Sequence, residues 1–251
     1  MLLKYYRLFA ILAWSTCMGF LCAAGAAFDR LFSRCPRRSS WERFYRAWAA
    51  GAVRIAGMKI EVRGEIPAPP FFIVTNHLTF ADIFLLVSQL GCIFVAKNEI
   101  ADWPVFGPLA RVGKSIFINR KSLRDTVRVN REIQEAMNKG LSLALFAESG
   151  VSTDGALRTF KAALLEPCAR ANFPVHYASI HYESPEGSPP ASEVIVWRKG
   201  IGLFQHFFGI ASLPSFKAVL TLGDAPIASN DRKILAASLY QAVEKQLIRT
   251  K

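Results

Sequence analysis

Hydrophobic and polar positions divide the chain into two kinds of pattern. From 8 to 28 there are 21 residues without a charge. At about 1.5 Å per residue, a helix of that length reaches across a bilayer core of roughly 30 Å. Trp41, Phe44, Tyr45 and Trp48 follow, interleaved with Arg43 and Arg46. Such a stretch suits an interfacial helix with its aromatics at headgroup level, or a helix packed on a domain. From about 59 onward, short β-branched or aromatic runs alternate with helical patterns. The runs predict strands at 59–63, 71–74, 92–96, 116–119, 141–146, 175–182, 193–197 and 218–222. Helices are predicted at 82–90, 123–139, 160–171 and 231–248. Ser122 with Asp125 forms a capping-box start for the second of these, and Gly140 a stop. Alternation of this kind predicts an α/β fold: a mixed, largely buried sheet flanked by helices, behind an N-terminal membrane-anchoring helix. Residues 1–50 read as anchor and basic amphipathic linker, and 51–251 as the main domain.

Composition sharpens the anchor. Apolar residues make up 52% of the 251 positions, and mean hydropathy is +0.23. Lys and Arg number 31 against 19 acids, a formal charge of +12. A basic, apolar chain fits anionic lipid or a phosphorylated substrate better than nucleic acid, for which no basic helix or polar aromatic tract is present. Lys4 and Arg7 precede the apolar run, and Arg30, Arg34, Arg37 and Arg38 follow it. The heavier positive flank predicts that the domain lies on the cytoplasmic face, the inner membrane in a bacterium. A cleaved signal peptide competes, because residues 23–27 are small, but the run is long for one and the basic flank opposes export. Cys17, Cys22, Cys35, Cys92 and Cys168 show no metal spacing and read as reduced thiols.

Four blocks carry candidate chemistry. The first runs from Thr75 through Asn76, His77, Leu78 and Thr79 to Asp82. Five positions on one helix lie about 140° apart, so His77 and Asp82 meet only if His77 is in a loop and Asp82 in the first helical turn. There the carboxylate would fix the imidazole tautomer and leave the other nitrogen as a base. Asp82 equally reads as a helix-start residue, since Thr79 and Asp82 make a capping-box pattern. In the second block, 113–120, an apolar strand runs into Arg120, suited to bidentate phosphate capture or to a solvated surface. The third places Glu148 at a strand end before Ser149 and Gly150, with Lys161 further on. The fourth, 174–180, is an apolar strand, and its His176 and the nearby His181 read as core or surface residues.

Together these blocks resemble the glycerolipid acyltransferase family, which includes the 1-acylglycerol-3-phosphate acyltransferases. Asn76, His77 and Asp82 match its NHx4D motif. Residues 113–120 are similar to its GxxFIxR motif, 146–150 sit where FPEG is expected, and 174–180 where the apolar fourth motif is expected. The likeness spans roughly 59–221. The stretch from Ser152 and Thr153 to Lys161, with Trp197 and His206, is more like the branch containing lyso-ornithine-lipid acyltransferases. Ala147 and Ser149 replace the motif's usual Pro and Gly, and the Arg often found just after is absent.

The resemblance implies an enzyme moving a fatty acyl group from acyl-CoA or acyl carrier protein to the hydroxyl of a lysolipid, in membrane lipid biosynthesis. His77 and Asp82 would be catalytic. Asn76, Arg120, Glu148, Ser149, Gly150 and Lys161 would bind substrate, with Arg120 and Glu148 on the acceptor headgroup. No metal or cofactor is expected beyond the acyl donor. Backbone N–H groups near the active-site loop would stabilise the oxyanion. Phe204, Phe207, Phe208, Ile210 and Leu213 are candidates for an acyl groove, and each also reads as ordinary core. A thioester hydrolase using the same His, and a non-catalytic lipid-binding protein that keeps the fold, are the alternatives.

Overall fold

The computed structural model describes residues 2–32, 40–103, 106–148, 150–152 and 154–251. Arg34, Cys35, Arg37, Arg38, Ser149 and Thr153 lie outside the described residues. Within them, seven strands form one sheet: β1 (Met58–Arg63), β2 (Phe72–Thr75), β3 (Ile93–Lys97), β4 (Ile116–Ile118), β5 (Leu143–Phe146), β6 (Val175–Glu183) and β7 (Phe216–Leu222). Their order is β1-β7-β6-β2-β5-β3-β4, parallel except between β6 and β7. β2 is buried at every position, which explains why it reads as a continuous apolar run rather than an alternating one.

The helices are α1 (Leu2–Phe32), α2 (Ser40–Ala56), α3 (Ala81–Leu90), α4 (Phe106–Val112), α5 (Leu123–Asn138), α6 (Glu166–Arg170), α7 (Ala191–Val194), α8 (Leu203–Ser212) and α9 (Arg232–Gln246). Ser122 caps α5 by accepting from the Asp125 amide at 3.2 Å, and Gly140 follows that helix at φ +76°. The helix expected over 160–171 is split into a 3-10 turn at Ala162–Leu165 and then α6. Pro167 in the first turn of α6 lacks an N–H and starts a new helix rather than continuing the old one.

The strand expected at 193–197 is absent. Residues 191–194 form α7 instead, and Ile195 and Val196 are buried after it. A short run with four apolar residues cannot distinguish a strand from a buried turn. Here the Trp197 amide donates to the Leu78 carbonyl at 2.9 Å, in the loop after β2, rather than to a strand neighbour. α4 and α8 were not legible in the sequence pattern.

The apolar N-terminal run becomes α1, and Leu2–Asp29 is long and apolar enough to cross a membrane. α1 nevertheless packs on the rest of the chain near both ends. Arg7, buried, donates to the carbonyls of Leu213 and, at 2.8 Å, Pro214, between α8 and β7. Asp29 accepts from the Ser40 and Trp41 amides at the start of α2, both at 3.1 Å. In between, Trp14 lies so close to Gly51 that a Cβ there would fall 2.2 Å from its ring. α2 runs unbroken across residue 50. Trp41, Tyr45 and Trp48 are buried in a stack, with the Trp41 indole donating to the Val112 carbonyl at 2.7 Å. Those three rings pack on the domain, so they are not free to sit among headgroups. α1 instead exposes Leu2, Tyr6, Phe9, Leu12, Phe20 and Leu31.

Candidate active site

β2, β5 and β3 are parallel neighbours, so their carboxyl ends open at one edge of the sheet. In an open α/β sheet, that edge is where the loops converge on a ligand. β2 ends at Thr75, and the chain turns at once through Asn76 and His77 into α3. Asn76 is buried and its amide group forms two bonds to the Ile180 backbone of β6: Nδ2 donates to the carbonyl at 2.9 Å, and Oδ1 accepts from the amide at 2.7 Å. β6 extends past the end of β2, which brings Ile180 beside the loop. Asn76 therefore joins loop to sheet, and its side chain is spent on backbone.

Asp82 lies in the first turn of α3 and is fully buried. Its Oδ2 lies 2.8 Å from His77 Nδ1 and accepts from the Leu78 and Thr79 amides at 2.7 and 3.0 Å. Its Oδ1 accepts from the Tyr182 hydroxyl at 2.6 Å. The helix-start reading and the His-orienting reading are thus both realised, on one carboxylate. Because an ionised carboxylate only accepts, His77 carries its proton on Nδ1 and offers the Nε2 lone pair. The imidazole is 14% exposed while Asp82 is sealed, so the ring is the part a substrate can reach. It stacks on Phe146 at the end of β5, with ring centroids 3.8 Å apart.

Glu148 is 5% exposed. Its Oε1 accepts from the His77 amide and its Oε2 from the Arg158 amide, both at 2.8 Å. Burial pushes the carboxyl up to about 7, opposed by those two N–H bonds and the nearby Arg158 charge. Glu148 thus ties the His77 loop to the segment after β5. The Ser152 amide adds a bond to the His77 carbonyl at 2.7 Å. On the other side, Thr79 Oγ1 lies 2.8 Å from Nε2 of the buried His206 on α8. Burial holds His206 down to about 4, so its ring is neutral at pH 7 and stacks on Trp197. The amides of His77, Leu78 and Thr79 all donate to carboxylates. The expected oxyanion donors therefore do not come from those three.

Arg120, just past the end of β4, and Lys161 lie apart from this corner. They line a cleft of about 340 Å³ with Val95, Thr126, Phe146 and Ala147. Both are exposed. Phe146 connects the two places, since it lines the cleft and carries the His77 ring. Gly150 is in the turn after Glu148, with open space where a Cβ would stand. Tyr182 carried no signal as a site residue in the sequence, and His206 entered only with Trp197 in the likeness to the lyso-ornithine-lipid branch.

The residues from 59 to 181 match the protein-family model described as Acyltransferase. The lyso-ornithine lipid O-acyltransferase of Rhodobacter capsulatus is 30% identical over 199 residues, 76% of this chain and 71% of that protein. The chain belongs to the acyltransferase family. This acyltransferase is also similar to the lyso-ornithine lipid O-acyltransferase of Rhizobium meliloti, 28% identical over 80% of this chain and 74% of that one. The 1-acyl-sn-glycerol-3-phosphate acyltransferase of Neisseria gonorrhoeae is 31% identical over 62% of each chain. In fold, the acyltransferase is like the crystal structure of the 1-acyl-sn-glycerophosphate acyltransferase from Thermotoga maritima. The TM-score is 0.69 at 20% identity, over 97% of this chain and 94% of that one.

Proposed function

We propose that this acyltransferase moves a fatty acyl group from acyl-CoA or acyl carrier protein to the hydroxyl of a lysolipid, with His77 as general base. The observation that carries the reading is the 2.8 Å contact of His77 Nδ1 with a fully buried carboxylate, beneath a partly exposed ring. His77 Nε2 takes the proton as the acceptor oxygen attacks the thioester carbonyl. The imidazolium, held by Asp82, then returns it to the departing thiolate, and no covalent enzyme intermediate is required. Arg120 and Lys161 supply positive charge for the acceptor headgroup in the cleft next to Phe146. Glu148 acts by holding the His77 loop. The acyl chain enters an apolar cavity lined by Leu8 and Ile11 of α1, Phe84 of α3, and Phe207 and Ile210 of α8. Two of the five groove candidates line it, while Phe204 is 78% exposed.

Lyso-ornithine lipid is the favoured acceptor, because the Rhizobium meliloti and Rhodobacter capsulatus relatives so named align over more of their length than the glycerophosphate enzyme of Neisseria gonorrhoeae. The protein associates with the cytoplasmic face of the membrane through α1. With Arg7 bonded to the α8–β7 loop and Asp29 to α2, α1 beds into one leaflet rather than carrying its first residues to the far side. The test uses membranes containing the protein, a labelled acyl thioester on CoA and on carrier protein, and a panel of lysolipids. Transfer to lyso-ornithine lipid or 1-acylglycerol-3-phosphate, lost in His77→Ala, is expected. Thioester turnover that ignores every acceptor indicates a hydrolase and overturns the reading.

A further inference from the structure

Asp82 receives its fourth hydrogen bond from far along the chain. Tyr182 is on β6, 100 residues away, and is 1% exposed. β6 runs beside β2 with Thr75 opposite Ala178. Two residues further, Ile180 holds Asn76, and two further again Tyr182 points on the same side of the strand toward Asp82. The Tyr182 ring packs against Phe216 of β7, 6.0 Å between centroids, and its amide donates to Thr250 Oγ1 at 3.1 Å. Ring and backbone are both fixed, so the hydroxyl has one place to go. Burial, with Asp82 beside it, keeps the phenol protonated far above its ordinary range, which makes it a donor throughout.

We infer that Tyr182 is a positioning residue for acyl transfer: its hydroxyl holds the outer oxygen of Asp82, fixing the carboxylate against His77 and moderating how strongly it retains the proton on that ring. The inference rests on the reading of His77 as general base oriented by Asp82. Its physical content is the division of one buried negative charge between two donors. Charge drawn toward Tyr182 is charge withdrawn from His77, so the phenol loosens the hold of Asp82 on a proton carried by that ring. Without the phenol, Oδ1 is a desolvated acceptor with no donor from this side chain, and Asp82 bears more fully on the imidazolium. The titratable groups around Asp82 are few. His77 and Tyr182 touch it. Glu148 is one step out through the His77 amide, with Arg158 beyond, and His206 is one step out through Thr79. Neither Glu148 nor His206 bonds to Tyr182, so their influence is common to wild type and variant.

Tyr182→Phe removes one oxygen and leaves the ring's packing in place. A donor to a carboxylate is worth roughly a factor of ten in an equilibrium. In the 251-residue protein in detergent, a histidine ¹⁵N NMR titration should place the His77 midpoint about half to one pH unit higher in Tyr182→Phe. The resonance is assigned by its loss in His77→Ala. With palmitoyl-CoA and lyso-ornithine lipid or 1-acylglycerol-3-phosphate, kcat should fall about tenfold, with little change in either KM. Placing 3-fluorotyrosine at 182 makes the phenol a stronger donor without removing it, and should move the midpoint the other way. That second substitution keeps the question decidable if Tyr182→Phe does not fold. A His77 midpoint unmoved by either change overturns the inference, as does a shifted midpoint with unchanged kcat. Full transfer activity in His77→Ala instead overturns the reading of the base, and the positioning role falls with it.

Discussion

The His77 corner and the Arg120 cleft lie on either side of one phenylalanine, and they are built in opposite ways. At His77 every neighbour is spoken for. Asp82, Glu148, Ser152, Trp197 and His206 each bond to the loop 76–79, whose own Asn76 is tied to Ile180 of β6, and most of those groups are buried. In the cleft, Arg120 and Lys161 are exposed cations around an open volume. The contrast separates two jobs. Proton transfer depends on a ring held within tenths of an ångström, which buried hydrogen bonds provide. Headgroup recognition needs charge and room, and it can change between relatives without disturbing the corner. Ala147, where the family motif carries Pro, lines the cleft. The change at Ala147 leaves the dyad intact.

His77→Ala should break the corner most completely. Loss of a general base typically lowers the rate 10²–10⁴-fold, and expression, membrane yield and thermal midpoint should stay near those of the wild type. Turnover at the wild-type level in that variant would end the proposed mechanism. Asp82→Asn comes next. The amide oxygen can take the place of Oδ2 and the NH₂ group can donate to Tyr182, so the fold should lose only about 1–2 kcal/mol. Lost with the charge is the ion that stabilises protonated His77, and transfer should fall about 10²-fold or more. A fully active, slightly destabilised Asn variant would reduce Asp82 to a helix-start residue.

Glu148 tests whether the corner's rigidity has a pH dependence. Its carboxyl sits at about 7, above the ordinary 4.5, chiefly through burial. The folded state then holds the proton more tightly than the unfolded chain does. The contribution to stability is therefore full below about 4.5 and declines as pH rises through 7. Glu148→Gln, which cannot ionise, should flatten that decline. Between pH 5 and 7.5 the wild type should lose about 1–3 kcal/mol relative to the variant, measurable by chemical denaturation at each pH. Parallel curves would show that the carboxylate stays ionised across the range.

Arg120→Lys should have the smallest effect and mark the other side of the comparison. A planar guanidinium binds phosphate or carboxylate through two bonds, which an ammonium does not reproduce. The apparent KM for the lysolipid should rise several-fold, with kcat and the thioester KM little changed. With a phosphate monoester acceptor the rise should vary steeply near the second phosphate pKa of about 6; with lyso-ornithine lipid it should not. A change confined to the thioester KM would move Arg120 to the donor's side.

Local chemistry made much of this legible in advance. Strands buried on both faces read as apolar runs, Ser122 and Gly140 delimited α5, and the spacing of His77 and Asp82 required a loop followed by a helical turn, as found. Signals that depend on a few adjacent residues survive in one dimension. Where several local outcomes share a pattern, the sequence misled: 194–197 is apolar as a strand would be, yet the Trp197 amide serves the His77 loop. The amphipathic spacing of the α2 aromatics fitted an interfacial helix and a helix packed on the domain alike; the second is found, and the partner that buries the rings is not encoded in that spacing.

The sequence by itself determined the class of sheet, an apolar N-terminal helix, and the residues that can exchange a proton. Only the tertiary structure decided which atoms they face. Tyr182 reaches Asp82 across 100 residues, His206 reaches Thr79 across 127, and Arg7 reaches Pro214 across 207. Nothing in the local spacing of these residues marks the contact each one makes. Each becomes specific because strands and helices pack into a sealed interior, where a polar atom has to find a partner among the few groups within reach.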